Sequence, residues 1–213
     1  MKCDRNYMCL YAVTDRAWTG KRTLYEQVEE ALKGGVTCVQ LREKELDFDA
    51  FLKEAMEIHA LCQKYGVPLF INDNVDIAIA VKAEGIHVGQ EDMEAAQVRS
   101  LVGENMMIGV SVHTVEEAQR AVAHGADCLG LGTIFPTSTK TDVDVMPMET
   151  IRAITAAVDV PIVAIGGIKK SNIMYLAGSG VDGIAVVSAI FAAEDIEKEC
   201  RELRRLSGEM LRV

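Results

Sequence analysis

Two cations and a carboxylate, Arg42, Glu43 and Lys44, follow directly on the apolar run that ends at Leu41. Side chains alternate across a strand, so Val39 and Leu41 share one face and Gln40, Arg42 and Lys44 share the other. Arginine grips oxygens bidentately and lysine adds a compact charge, so two cations on one face suit a polyanion. A solvated strand end with a surface ion pair is the plainer reading of the same residues. Asp73 and Asp92 strengthen the first, because each stands near the end of another apolar run. Two carboxylates about 4 Å apart repel by about 4 kcal/mol at an effective dielectric of about 20. A divalent cation relieves that repulsion, and Mg²⁺ favours one or two carboxylates completed by waters and substrate phosphates. Cations beside such a pair define a candidate diphosphate–Mg²⁺ site. Taken singly, Asp73 also fits a helix N-cap, and Asp92 fits the start of a short helix.

Further polar groups gather where other apolar runs end. Asn72 precedes Asp73, and Ser111 and His113 close "MIGVSVH". The stretch "FPTSTKTD" brings Thr137, Ser138, Thr139 and Lys140, which can hold a phosphate or simply turn. "AIGGI", with Gly167, and "VVSAI", with Ser188 on the eighth strand, come last. Backbone N–H groups there suit a monophosphate, and a glycine lets the backbone approach a ligand closely. His59 and His124 fall in helical patterns and read as surface or packing residues. His87 reads as strand interior, and His113 could meet a ligand.

Short β-rich runs must position these groups: "CLYAVTD", "CVQLREK", "PLFIND", "GIHVGQ", "MIGVSVH", "CLGLGTIF", "PIVAIGG" and "GIAVVSAI". Most are almost continuously apolar, as strands covered on both faces are. Amphipathic stripes lie between them: Leu24, Val28, Ala31 and Leu32; Phe51, Ala55, Ile58 and Cys62; Ile196, Cys200 and Leu203. Thr114 and Glu117 make a capping box. The joints "GGVTCVQL", "KAEGIHVG", "HGADCLGLG" and "GSGVDGIAVV" each put glycine near a helix C-cap just before a strand. Eight strands alternating with about eight helices predict an α/β fold, a (β/α)8 TIM barrel, as one domain over residues 1–213. A doubly wound sheet is the alternative, but "AVTDRAWTGK" lacks the glycine fingerprint expected after its first strand.

The composition is that of an ordinary globular chain, 49% hydrophobic and 25% charged, with a net charge of −10. A nucleic-acid partner is not expected from such a balance. Six cysteines form no C-x-x-C pair, so buried free thiols and a cytoplasmic location are expected. No apolar run reaches the ~20 residues of a membrane span, so no membrane partner is expected.

In order and spacing, "YAVTDR", "GGVTCVQLREK", "FINDNVDIA", "GIHVGQEDM", "IGVSVHTVEEA", "GLGTIFPTSTK", "IVAIGGI" and "GIAVVSAI" resemble the thiamine-phosphate synthase family over almost the whole chain. The combination of "QLREK", "HVGQED" and "FPTSTK" is specific. The resemblance implies a Mg²⁺-dependent transferase of thiamine biosynthesis. Such an enzyme joins a hydroxymethylpyrimidine diphosphate to a thiazole phosphate and releases diphosphate. It implies that Gln40, Leu41, Arg42, Glu43, Lys44 and Asn72 bind the pyrimidine diphosphate, with Ser111 on the diphosphate side. Asp73 and Asp92 would hold Mg²⁺. Thr137, Ser138, Thr139, Gly167, Val187 and Ser188 would bind the thiazole phosphate. Arg42, Lys44 and Lys140 would be catalytic, stabilising a departing diphosphate in a dissociative reaction. Asn74, Thr133 and Lys169-Lys170 depart from the family's usual residues. A homo-oligomer is carried as an expectation. Another phosphate-binding barrel enzyme, such as an aldose-phosphate epimerase or a thiazole tautomerase, would not need the paired Asp73 and Asp92. A non-catalytic regulator on the same fold would have lost the metal or diphosphate residues.

Overall fold

A computed structural model describes residues 3–20, 22–136 and 145–213. Its strands are β1 (Leu10–Val13), β2 (Cys38–Leu41), β3 (Leu69–Asn72), β4 (Gly85–Val88), β5 (Met107–Val112), β6 (Cys128–Leu131), β7 (Ile162–Ile165) and β8 (Gly183–Val186). All pair in parallel with their sequence neighbours, and β8 pairs with β1 to close the barrel. The helices are α1 (Leu24–Lys33), α2 (Phe48–Tyr65), α3 (Val75–Val81), α4 (Ala95–Val102), α5 (Val115–Ala123), α6 (Met148–Ala157), α7 (Ser188–Phe191) and α8 (Ile196–Met210). The expected (β/α)8 architecture is therefore present.

Strand alternation divides the core into two shells. Leu10, Val39, Leu41, Leu69, Ile71, Ile86, Ile108 and Leu129 face outward onto the helices. Tyr11, Cys38, Phe70, Met107, Cys128, Val163 and Ala185 fill the barrel interior. The stripes expected on α1, α2 and α8 are buried in the outer shell. At the N-terminal base, four side chains tie neighbouring strands together. The backbone N–H groups of Leu10, Leu69, Ile108 and Ile162 donate to Thr37, Glu84, Asp127 and Asp182. Each acceptor stands just before the next strand, so every second joint is bolted in the same way.

The structure corrects several local expectations. No α-helix follows β7; a short 3-10 turn (Ile173–Leu176) takes its place, and two helices follow β8. The β7–β8 segment contains Asn172 and left-handed Gly178 and Gly180, which break a helical run. Ser188 is not on β8. The backbone leaves the strand at Val187, and Ser188 opens α7. The glycine joint fails after α3, where Lys82 takes the left-handed cap and Gly85 begins β4. A Cβ on Gly85 would lie 2.4 Å from the Phe70 ring, so interior packing, not capping, requires that glycine. Thr114 caps α5 through the Glu117 N–H, but Glu117 reaches back to the N–H of His113 instead of that of Thr114.

Candidate active site at the C-terminal mouth of the barrel

The chain leaves β2 at Leu41, and Arg42 to Lys44 form the rim. Gln40 is buried inside the barrel, where its amide donates to the Tyr11 hydroxyl at 3.0 Å. The Leu41 side chain lies in the outer shell, so only its main chain faces the mouth. Thr14, at the end of β1, accepts the Arg42 N–H at 2.9 Å. The Arg42 guanidinium is 4.0 Å from Asp15 and partly exposed. Lys44 pairs with Asp73, so the second cation of the rim sits directly on the first candidate metal ligand.

Asp73 has φ +60, a left-handed conformation that aspartate tolerates better than most residues. The cap of α3 is Asn74, whose side chain accepts the Ile77 N–H. Asp73 is therefore not occupied by capping. One of its oxygens accepts from the Asn72 amide at 2.8 Å and the other faces Lys44. Its carboxyl is raised above the ordinary range, first by burial and also by the adjacent Asp92 carboxylate, against the opposing pull of Lys44. Asp92 is exposed and closes a turn by accepting the Gly89 N–H at 2.7 Å. The helix beyond it starts only at Ala95. Among the described residues no cluster of three or more His, Cys, Asp or Glu side chains could hold a metal. Two neighbouring carboxylates, one of them exposed, fit the Mg²⁺ pattern of one or two carboxylates completed by waters and phosphate oxygens, not a closed protein cage.

His87 crosses the barrel interior and meets the Ser111 hydroxyl at 2.9 Å. Room for its ring comes from Gly109 and Gly130, where a Cβ would lie 2.5 and 3.3 Å from it. It thus fixes Ser111, which the sequence had picked out alone. His113 is engaged with Glu117 at 3.2 Å in the α5 cap. A cavity of about 290 Å³ beside Asp92 lies over the outward-facing Val88 and Val110, next to the carboxylate pair but outside the barrel.

At β7, Gly167 has φ +63, and a Cβ there would meet the Phe135 and Pro136 carbonyls within 2.7 Å. The β6 and β7 ends continue as a ladder through Ile134 and Phe135 N–H groups bonded to Ile165 and Gly166. Gly167 thus brings the start of the "PTSTK" loop against the rim. Thr137, Ser138, Thr139 and Lys140 themselves lie outside the described residues.

Sequence reasoning missed the end of β1. Thr14, Asp15 and Arg16 surround Arg42 and Glu43. The polar run "TDR" at a strand end was the available signal.

A closed parallel barrel whose C-terminal rim carries cations, carboxylates and glycine-rich turns is a (β/α)8 protein with its polar groups where barrel enzymes hold their chemistry. A family model described as thiamine monophosphate synthase matches residues 10–190. A thiamine-phosphate synthase of Clostridium tetani is 49% identical over 94% of this chain and 96% of its own. One from Alkaliphilus oremlandii is 47% identical over 92% and 93%. The solved thiamine phosphate pyrophosphorylase from Pyrococcus furiosus superposes with a TM-score of 0.90 at 40% identity, covering 97% of this chain and 98% of its own. The chain belongs to the thiamine-phosphate synthase family, a family of transferases.

Proposed function

We propose that this protein joins a hydroxymethylpyrimidine diphosphate to a thiazole phosphate, yielding thiamine phosphate and diphosphate. The observation that carries the reading is the meeting of Lys44 with Asp73, beside Asp92 and next to Arg42, on one rim. A polyanion and a divalent cation would satisfy all four groups together.

On this reading Asp73 and Asp92 would hold Mg²⁺, which would supply positive charge to the leaving diphosphate. Lys44, which pairs with Asp73, would exchange that partner for a diphosphate oxygen. Arg42 grips the diphosphate beside it. Gln40 and Asn72 orient the pyrimidine, and Ser111, fixed by His87, adds a hydroxyl on the diphosphate side. Lys140 would meet the departing diphosphate, and Thr137, Ser138 and Thr139, with Gly167, Val187 and Ser188, would take the thiazole phosphate. The carbon–oxygen bond of the pyrimidine methylene breaks heterolytically, and its electron pair leaves with diphosphate. The methylene cation then accepts the thiazole nitrogen lone pair, forming the new carbon–nitrogen bond. No proton moves in either step, so no general base is required. The side chains contribute charge stabilisation and alignment.

Free thiols throughout the described chain support a cytoplasmic location, and no described helix is long and apolar enough to cross a membrane. An assembly of identical chains belongs to the same proposal, and sedimentation tests it. The functional test is an omission series. Thiamine phosphate, read as its fluorescent oxidation product, should form only when both substrates and Mg²⁺ are present. Absence of product in the complete mixture refutes the reading.

A further inference from the structure

Glu43 stands between the two cations of the rim, yet its carboxylate turns away from the mouth. Its side chain is only 2% exposed. One oxygen accepts three consecutive backbone N–H groups, from Lys44 at 2.8 Å, Glu45 at 2.7 Å and Leu46 at 3.3 Å. The other accepts from the Arg16 side chain at 2.7 Å. Arg16 also reaches Glu54 on α2, at 2.9 and 2.7 Å to its two oxygens. A single guanidinium thus bridges two carboxylates from different elements, as its planar fork allows.

We propose that Glu43, Arg16 and Glu54 form a clasp of positioning residues that sets Arg42 and Lys44 toward the diphosphate while touching neither substrate nor metal. The inference rests on the function proposed above. The argument is geometric. Thr14 holds the N–H of Arg42 and Glu43 holds the N–H of Lys44, so the backbone is pinned on both sides of Glu43. The cationic side chains remain accessible, with Arg42 28% and Lys44 51% exposed. Glu43 has both oxygens committed to N–H donors of the protein, and its burial leaves no oxygen facing the mouth. Without Arg16, the Glu43 carboxylate would be buried with no counter-charge and could leave the loop. Without Glu54, Arg16 would lose the contact that anchors it to α2. A displaced rim presents the same two cations at the wrong distance from one another.

The test is calorimetric titration of inorganic diphosphate with Mg²⁺ into the parent, Glu43→Gln, Arg16→Ala, Glu54→Gln and the Arg16→Ala/Glu54→Gln double variant. Loss of a group that orients a ligand-binding side chain typically costs about 10- to 100-fold, and that weakening is expected for each single variant. The double variant should be no worse than Arg16→Ala, since Glu54 acts through Arg16. In turnover, KM for the pyrimidine diphosphate should rise while KM for the thiazole phosphate stays put, a split that general loosening would not produce. If Arg16→Ala does not fold, Glu54→Gln decides alone, because it conserves size at a partly exposed site. Parent-like diphosphate binding by Arg16→Ala and Glu54→Gln, with loss only in Glu43→Gln, makes Glu43 a direct ligand and overturns the clasp. A parent that binds no diphosphate refutes the proposed function instead. The clasp is then judged by amide exchange: the Lys44 and Glu45 N–H groups should be protected in the parent and lose protection in Glu54→Gln, and unchanged protection overturns it.

Discussion

Removing the Lys44 ammonium should make the protein bind metal better and react worse. Lys44 is the counter-ion of Asp73, which also lies beside the Asp92 carboxylate. Two unit charges about 4 Å apart interact by about 4 kcal/mol at an effective dielectric of about 20. Lys44 is half exposed, and solvent screens such pairs down to about 1 kcal/mol or less. Taking about 1 kcal/mol, Lys44→Ala should lower the metal-free Tm by about 2–4 °C in a chain of this size. The same energy favours Mg²⁺ in the variant, where no ammonium competes for Asp73, and about 1 kcal/mol corresponds to about fivefold tighter binding. Turnover should move the opposite way. A lost charge stabiliser in a reaction of this kind costs about 10²-fold or more in kcat. Metal-free thermal melts, Mg²⁺ titrations followed by Tm, and single-turnover rates at saturating Mg²⁺ give the three readings. If Lys44→Ala binds Mg²⁺ no more tightly than the parent, or turns over at the parental rate, Lys44 is not the ion that exchanges between Asp73 and the diphosphate.

Three further outcomes follow from the same geometry. Burial pushes the Glu43 carboxyl up, but the loop N–H groups and Arg16 outweigh it and leave it below its ordinary value; its stabilisation is therefore present above the unfolded pKa of about 4.3 and lost as pH falls through the lower folded value. Glu43→Gln should thus be less stable than the parent at pH 7, with the gap closing in acid melts, and a gap constant with pH would show that the charge is not what holds the loop. Asp182→Ala removes partners of Arg5 and of the Ile162 N–H at the barrel base, so it should cost about 2 kcal/mol, or about 4–8 °C in Tm, while an altered KM for either substrate would contradict its purely structural place. Burial pushes the Cys62 and Cys200 thiols up to about 12, so a disulfide reagent at pH 8 should find Cys3 fast and the five buried cysteines only on unfolding; rapid modification of several thiols in the native protein would contradict the packing.

The barrel was legible because its cause is local. Strand runs alternate between two shells, and the split of Gln40 from Val39 and Leu41 is a pure consequence of that period. The rim cations and the candidate metal pair were legible because polar residues at the ends of apolar strands need a reason. What the sequence hid depends on distance along the chain or on backbone turns. Arg16 meets Glu54 across the β1–α1 loop and α2, and nothing local in either segment announces the pair. Glu43 reads as a rim ligand by its neighbours, and only the fold turns it inward. Lys82 in a left-handed cap and Ser188 opening a helix both depend on one residue's dihedral angles, which a hydrophobic pattern does not encode.

On the proposed function, one rim releases diphosphate from the pyrimidine and hands its methylene carbon to the thiazole. Phosphorus NMR of a single reaction follows every phosphorus atom involved. With both substrates and Mg²⁺, the pyrimidine diphosphate resonances should disappear as inorganic diphosphate and thiamine phosphate rise one for one. Unchanged spectra, or diphosphate released without thiamine phosphate, would contradict the account.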